Sequence, residues 1–408
     1  MISFHTCPLA SEEGKETGGM NVYVLELSKA LVKQEYVVDM YTRCQNKTNP
    51  RIVEISSNLR LIHLKAGPEK PVQKKKLMAH LSEFIKNYQS FVKEYHIKYD
   101  LLHCHYYLSG LIGLEIKKRT SGPLPIVMSF HTLALMKNLV ARDELEREEL
   151  TRINAEKLLT RNVEKIIASS ISDMNYLKYL YETPNKKIVV VPPGVNTDLF
   201  KPLDKNQAKN FIGANINHKI ILFVGRIEPL KGLDMLLYAM KVLSVKNPRL
   251  SICLWIVGGD ISQKPALWSK QLQTLKQLQK LLHLSTVVKF VGQRPQHELP
   301  KYYNASEMII MPSHYESFGI VAIEAMACGI PVITTNVAGI SSLIDKKHQS
   351  LITSVNNPLL LASQIEYLLT NDQAHKQISH DVLEKAQELK WENIVKKIGV
   401  IYQSVEHD

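Results

Sequence analysis

The sequence predicts an α/β protein of two doubly wound domains. Short β-branched or apolar runs alternate with longer amphipathic stretches from end to end, as expected when helices cover both faces of parallel sheets. The alternation stops at Pro192-Pro-Gly-Val-Asn-Thr-Asp-Leu-Phe-Lys-Pro202, a segment rich in breakers, and then restarts with the same rhythm. A chain of 408 residues has room for two such units at roughly 100 to 200 residues per domain. Ligands of doubly wound sheets sit beyond the carboxyl ends of the strands, so a cleft between two facing domains is the expected active site.

Strands are expected, in order, at Ile2 to His5, Val37 to Thr42, Leu59 to Leu64, Leu101 to His105, Ile126 to Phe130, Lys165 to Ala168 and Ile188 to Val191. Apolar residues returning every three or four positions predict helices over Asn21 to Val32, Leu77 to Tyr95 and Glu144 to Leu159. After the breaker segment, strands are expected at Ile220 to Val224, Ser251 to Val257, Val287 to Val291, Met308 to Met311 and Val332 to Thr334. The division is therefore residues 1–197 and 198–388, with 389–408 as a tail whose amphipathic stretch Trp391 to Val405 forms a last helix packing back toward the N-terminal domain.

Charged residues make up 22% and apolar types 45%, an ordinary globular balance that excludes a disordered chain. The longest apolar runs fall far short of the roughly 20 residues of a membrane-spanning helix. Five scattered cysteines lack a C-x-x-C pair, and the start lacks a signal-peptide pattern, so a reducing, cytoplasmic setting is expected. Lys plus Arg exceeds Asp plus Glu by 51 to 39, giving a net charge of +12 that favours phosphates, nucleotides or anionic surfaces.

One segment carries specific chemistry. Glu316-Ser-Phe-Gly-Ile-Val-Ala-Ile-Glu324 follows an apolar strand and continues Ala-Met-Ala-Cys-Gly-Ile-Pro-Val332. Gly319 permits close backbone approach, and the helix it opens offers free N–H groups and a positive dipole end suited to a diphosphate. Two carboxylates eight residues apart can accept hydrogen bonds from hydroxyls at opposite ends of one extended ligand, a sugar and a ribose.

This segment resembles the E-x7-E motif of the retaining nucleotide-sugar glycosyltransferases of family 4, which have the GT-B fold of two Rossmann-like domains facing a central cleft. Gly225-Arg226-Ile-Glu-Pro-Leu-Lys231-Gly232 resembles the family's G-R-x4-K-G element, whose Arg and Lys neutralise the donor diphosphate. Gly292-Gln-Arg294-Pro is similar to the loop that meets the donor base. In the first half, His5-Thr-Cys-Pro-Leu9, Gly18-Gly-Met-Asn-Val-Tyr23, Tyr41-Thr-Arg43, Ala66-Gly-Pro68, His105-Tyr-Tyr-Leu-Ser-Gly110 and His131-Thr-Leu-Ala134 resemble, in order, the inositol 3-phosphate N-acetylglucosaminyltransferases that begin mycothiol synthesis. The sucrose-phosphate synthases are similar but less close.

The resemblance implies roles residue by residue. Glu316, His131, Arg226 and Lys231 are the catalytic set, with His131 near the reacting carbon and Glu316 positioning the sugar rather than attacking it. Gly19, Arg294, Ser317, Phe318, Gly319 and Glu324 join Arg226, Lys231 and Glu316 around the donor. His5, Gly18, Asn21, Lys74, Tyr106, Thr132 and Arg152 hold the acceptor, the last four its phosphate. A phosphate needs a compact cation, a guanidinium and hydroxyl donors from different segments, and this set supplies them. No metal site is implied, because the two donor-side cations can replace an essential ion, although family members bind magnesium.

Duller explanations stand beside several of these residues. Gly18-Gly19 fits a plain strand-to-helix turn, and Lys74-Lys-Lys76 a solvated charge run. Arg152 fits a surface i,i+4 ion pair within Glu148 to Glu156, and His131 a core histidine. His103-Cys-His105 lacks a third ligand nearby, so it reads as a strand end with a structural or pocket-lining His105. The expected function is transfer of a sugar, from UDP-N-acetylglucosamine or UDP-glucose, to a small phosphorylated acceptor such as an inositol phosphate. A membrane-surface glycosyltransferase acting on a lipid or glycan is the alternative, with peripheral membrane contact and a homodimer as further partner readings. A non-catalytic nucleic-acid binder has only the basic charge in its favour, and nucleic acid is not an expected partner.

Overall fold

The computed structural model describes residues 1–10, 18–144, 146–317, 319–337, 339–341, 344, 348 and 351–406. Two compact units emerge. One runs from the N-terminus to Gly194 and includes the C-terminal helix Trp391–Glu406; the other spans Val195 to Lys390.

The first unit holds strands β1 (Val38–Arg43), β2 (Ile52–Ser56), β3 (Leu59–Leu64), β4 (Leu102–His105), β5 (Ile126–Ser129), β6 (Lys165–Ala168) and β7 (Ile188–Val190). Their order is β2-β3-β1 on one side and β4-β5-β6-β7 on the other. Ile2 joins the two halves through parallel bridges to Tyr41 and Cys104. Of the expected first strand, Ile2 makes both bridges, the Ser3 N–H donates to the Tyr41 carbonyl at 2.9 Å and the Phe4 carbonyl accepts from the Arg43 N–H at 3.4 Å. Every ladder is parallel except β2 against β3, a pair joined through the short turn at Ser57 and Asn58. That edge strand was not expected. Its half-exposed residues lack the continuous apolar run that marked the strands buried on both faces.

The second unit holds β8 (Lys219–Val224), β9 (Ile252–Val257), β10 (Val288–Gly292), β11 (Met308–Met311), β12 (Val332–Thr335) and β13 (Ile352–Thr353), in the order β10-β9-β8-β11-β12-β13 and all parallel. Ile221, Phe223, Leu254, Ile256, Ile310 and Ile333 from the sheet pack with Leu236, Met240, Leu275, Leu361 and Ile365 from the helices into one core. Burying such a side chain stabilises by about 1.5–3 kcal/mol, which is why these strands read so plainly as apolar runs.

Both sheets reverse their winding direction at an internal pair of strands. In the first unit the segment at Ile2 has β1 on one flank and β4 on the other; in the second, β8 lies between β9 and β11. The carboxyl ends of those strands are topological switch points, where an open α/β sheet leaves a crevice.

The C-terminal helix belongs to the first unit through specific packing. Trp391 lies edge-on to Tyr23 at 5.4 Å, and the Tyr402 hydroxyl meets His103 Nδ1 at 2.7 Å. A Cβ on Gly194 would stand 2.4 Å from the Trp391 ring.

Two helix boundaries differ from expectation. The stretch from Leu77 begins as a 3-10 turn over Lys74–His80 and becomes an α-helix at Leu81–Glu94. The helix expected from Glu144 begins only at Leu150, running Leu150–Asn162, because the Asn138 side chain binds both the N–H and the C=O of Glu148 (2.7 and 3.2 Å).

Gly232 shows how tightly the loop after β8 is built. Its φ is +64°, and a Cβ there would stand 2.0 Å from the carbonyl oxygen of Pro312, the residue after β11. Gly232→Ala is expected to cost at least about 2 kcal/mol, combining left-handed backbone strain with a contact that backbone must yield to relieve. Urea unfolding of the full chain checks this, and a loss below about 0.5 kcal/mol, the scale of an ordinary surface change, would contradict it.

Candidate active site

The donor-side residues gather within the second unit at the switch point of β8 and β11. Arg226 and Lys231 lie in the loop after β8, Glu316 and Ser317 in the loop after β11. The two loops are joined by His314 N–H donating to the Leu230 carbonyl at 2.8 Å. Lys231 Nζ donates to Glu316 Oε2 at 2.5 Å, with both side chains largely shielded (19% and 15% exposed). Arg226 is more open, at 53%, and its guanidinium lies 2.7 Å from Glu228. Ser317 is buried and donates to the Tyr315 hydroxyl at 2.6 Å.

Gly319 opens the helix Ile320–Ala327 with φ +60° and no side-chain cap. A Cβ there would stand 2.5 Å from Ile340 Cγ1, so the turn requires glycine. Ser170, Asp204, Asn357 and Asn371, by contrast, each accept a backbone N–H from the first turn of their helices. With no side-chain cap, the first-turn N–H groups can meet a ligand, and the dipole there favours an anion.

Glu324 is buried inside that helix. Its Oε2 accepts from the Tyr303 hydroxyl at 2.8 Å and its Oε1 from Gln296 Nε2 at 3.2 Å. Burial and the neighbouring carboxylate push the Tyr303 phenol well above its usual range, so the hydroxyl stays a donor. Gln296 belongs to the loop carrying Arg294, whose Nε donates to the Tyr302 hydroxyl at 2.8 Å. The structure thus brings Glu324 and the expected base loop together. Tyr303 and Gln296, which orient the carboxylate, were missed by sequence reasoning, because a contact between residues 21 and 28 positions apart leaves no periodic signal. Phe318 lies outside the described residues.

The acceptor-side residues gather in the first unit. Tyr106 follows β4 at φ +73°, a strained value for a non-glycine residue, and its ring is the centre of the group. The His5 ring lies 4.3 Å from it, Lys74 Nζ 4.4 Å and the Arg152 guanidinium 4.9 Å. Arg152 Nη2 also donates to the Thr132 hydroxyl (3.0 Å) and carbonyl (2.8 Å). Lys74, Tyr106, Thr132 and Arg152 are therefore neighbours in space. Lys75 instead pairs with Glu149 on the surface at 3.2 Å, which singles out Lys74 from its run.

Arg152 is not the surface residue of the duller explanation. It is only 3% exposed, with Glu156 at 2.8 Å from Nε and Glu148 at 2.8 Å from Nη1. Burial opposes its charge, but Glu156 and Glu148 outweigh that and keep it protonated. Glu148 also accepts from Lys137 Nζ. Burial works to raise the Glu148 carboxyl, yet Arg152, then Lys137 and Lys74, bring it down to about 2. A depressed carboxyl stabilises the fold fully above its ordinary value of 4.5, and that contribution fades as the pH falls toward 2.

Beside this group lie three histidines. His131 follows β5 at φ +64°, and its Nε2 meets His105 Nδ1 at 2.9 Å. Tyr23 packs edge-on to both rings, at 5.3 and 5.9 Å. Burial drives His131 down to about 3 and His105 well below its usual range, so both are neutral and one must donate to the other. His105 Nε2 is buried without a hydrogen-bond partner. Either ring can be the donor in the contact between His105 and His131. His103 bridges Ser129 and Tyr402 (2.9 and 2.7 Å), a structural role.

Gly18 and Gly19 begin the helix Gly19–Val32, again without a side-chain cap. Gly18 is extended, with nothing within 4 Å of a would-be Cβ, so the fold does not demand glycine there. Asn21 is 1% exposed, and both polar atoms of its amide lack a hydrogen-bond partner. A buried amide left unsatisfied is costly and points to a ligand group. Among the described residues the metal-type cluster His380, Asp381 and Glu384 lies away from both groups, on the helix Asp372–Glu388. No described helix is long and apolar enough to cross a membrane.

Comparison with known proteins decides the family. Residues 17–199 match "Glycosyltransferase Family 4" and residues 204–385 match "Glycosyl transferases group 1". The D-inositol 3-phosphate glycosyltransferase of Corynebacterium efficiens is 31% identical over 405 residues, covering 98% of this chain and 94% of that protein. The chain belongs to the family 4 glycosyltransferases. A relative of the same name from Thermobispora bispora is 30% identical over 98% of the chain. Among solved structures, sucrose-phosphate synthase from Thermosynechococcus elongatus superposes on this glycosyltransferase with a TM-score of 0.89 at 29% identity, covering 99% of this chain and 98% of that one. Anabaena HepE, solved in complex with UDP and glucose, shares the fold with a TM-score of 0.74 at 18% identity, over 99% of each chain. The GT-B expectation therefore holds, and the enzyme is a glycosyltransferase.

Proposed function

We propose that this glycosyltransferase moves a sugar from a UDP-sugar to a hydroxyl of a small phosphorylated acceptor, an inositol phosphate, with retention at the anomeric carbon. The observation that carries the reading is the convergence of Lys74, Arg152 and the Thr132 hydroxyl on Tyr106, because such a set fits a phosphoryl group and has little use for a neutral sugar. The name of the 31% identical relatives points to the same acceptor class. UDP in the Anabaena structure supports the choice of base.

In this reading the second unit binds the donor and the first the acceptor. Lys231, Arg226 and the uncapped turn at Gly319 hold the diphosphate and take up charge as it leaves. Glu316, held in place by Lys231, orients the sugar, and Glu324 the ribose. Arg294 belongs to the loop that meets the base. His131 and Asn21 are assigned to the reacting sugar and the acceptor, His5 and Gly18 to the acceptor, and Gly19 to the diphosphate. The leaving phosphate oxygen takes the acceptor's proton. A reducing cytoplasmic setting is supported by the cysteines, four of whose five side chains are buried.

A mass-spectrometric panel tests the reading: UDP-glucose, UDP-N-acetylglucosamine and GDP-mannose, each against inositol phosphate, fructose 6-phosphate and lipid acceptors in vesicles. Product from a UDP-sugar and inositol phosphate is the expected outcome. Product with lipid acceptors alone, or with fructose 6-phosphate alone, would overturn the acceptor assignment.

A further inference from the structure

We propose that the acceptor-phosphate site is closed in the free enzyme by an internal anion: Glu148 sits where Lys74, Lys137 and Arg152 meet, and phosphate binds by displacing it, with Lys137 as a phosphate ligand. The inference rests on the acceptor reading above and adds two residues to it.

Three cations from three separate segments act on one carboxylate. Lys137 comes from the helix Ala134–Val140, Arg152 from the helix Leu150–Asn162 and Lys74 from the 3-10 turn. Lys137 Nζ donates to Glu148 Oε1, and Arg152 Nη1 lies 2.8 Å from that same oxygen. The second contact is a poor one. Arg152 Nη1 is fully buried and has no hydrogen-bond partner, so its N–H is not aimed at the oxygen it faces. A buried guanidinium N–H left unmade is an unfavourable arrangement that a better acceptor would relieve. A planar carboxylate offers two oxygens, whereas a phosphate monoester offers three, arranged to meet donors from different directions.

Charge gives the same direction. Lys74, Lys137 and Arg152 carry three positive charges against two negative ones from Glu148 and Glu156. A phosphate monoester brings about −1.5 to −2 at neutral pH, so binding with Glu148 in place would leave the group net negative. With Glu148 turned out into water, the same phosphate meets three cations and one buried carboxylate. Glu148 has the freedom to turn. Its backbone is pinned by Asn138, but its side chain is 20% exposed, unlike Glu156, which is sealed at 0%.

Inorganic phosphate is the probe, titrated into the full chain and followed by 31P NMR, with UDP binding measured on the same samples as a check of folding. Glu148→Gln is expected to tighten phosphate binding at least threefold and to lower KM for the phosphorylated acceptor. Lys137→Ala is expected to weaken phosphate binding at least tenfold and to raise that KM. Unchanged or weaker phosphate binding in Glu148→Gln, or wild-type binding in Lys137→Ala, overturns the proposal. Should Glu148→Gln fail to bind UDP, Glu148→Asp, whose shorter arm reaches the cations less well, replaces it and is expected to tighten phosphate binding in the same direction. A wild-type enzyme that binds UDP but neither phosphate nor a phosphorylated acceptor overturns the acceptor reading itself.

Discussion

Lys231→Ala is expected to lower kcat for glycosyl transfer by about 10²–10³, the usual loss when one preorganised group facing developing charge is removed. Several observations set the size. Lys231 is fixed by its backbone, whose N–H donates to the Glu228 carbonyl at 3.0 Å, so its position is set before any ligand arrives. It is 19% exposed, and a charge shielded from water acts more strongly on a departing diphosphate than one in bulk solvent. It also anchors Glu316 at 2.5 Å, so its loss releases the carboxylate proposed to orient the sugar. Arg226 provides the contrast. At 53% exposure, and already beside Glu228, its replacement by alanine is expected to cost only about tenfold. Steady-state kinetics with a UDP-sugar, alongside UDP affinity, separates the two. Turnover of Lys231→Ala within threefold of wild type would remove Lys231 from the diphosphate.

What the sequence disclosed follows the physics of burial. Parallel strands shielded on both faces leave apolar runs, so β8, β9 and β11 were legible almost to the residue, whereas half-exposed β2 and the two-residue β13 were not. The segment before Leu150 has helix-forming residues, but the side chain of Asn138 competes for the Glu148 backbone and wins. The loops after β8 and β11 were legible because Gly225, Gly232 and Gly319 mark conformations that few other residues adopt. Lys74 and Arg152 were picked out only by resemblance. What joins them is the face of Tyr106, and neither spacing nor composition encodes a shared ring. Lys137 and Glu148 went unnoticed for a similar reason: eleven positions apart, across a helix end, they match no helical or strand period.

Glu156→Leu is expected to destabilise the first unit by about 3–5 kcal/mol, the cost of stranding one member of a buried ion pair. Glu156 is 0% exposed and answers three donors: Arg152 Nε at 2.8 Å, the Ala134 N–H at 2.9 Å and the Tyr181 hydroxyl. With it gone, Arg152 stays buried with a misaligned contact to Glu148 in place of a proper hydrogen bond from Nε. At roughly 2–4 °C per kcal/mol for a domain of this size, the midpoint of thermal unfolding drops by about 10 °C. The double replacement Glu156→Leu with Arg152→Met decides what the pair is for. Exchanging a whole buried pair for apolar side chains is commonly neutral, so much of the lost stability is expected to return. Phosphate binding is not, because the guanidinium is gone. A double variant that recovers both would show that Arg152 serves the fold alone; one that recovers stability without phosphate binding separates the residue that holds the helix from the residue that holds the ligand, and makes Glu156 the carboxylate that keeps a buried guanidinium aimed at Thr132 and Tyr106.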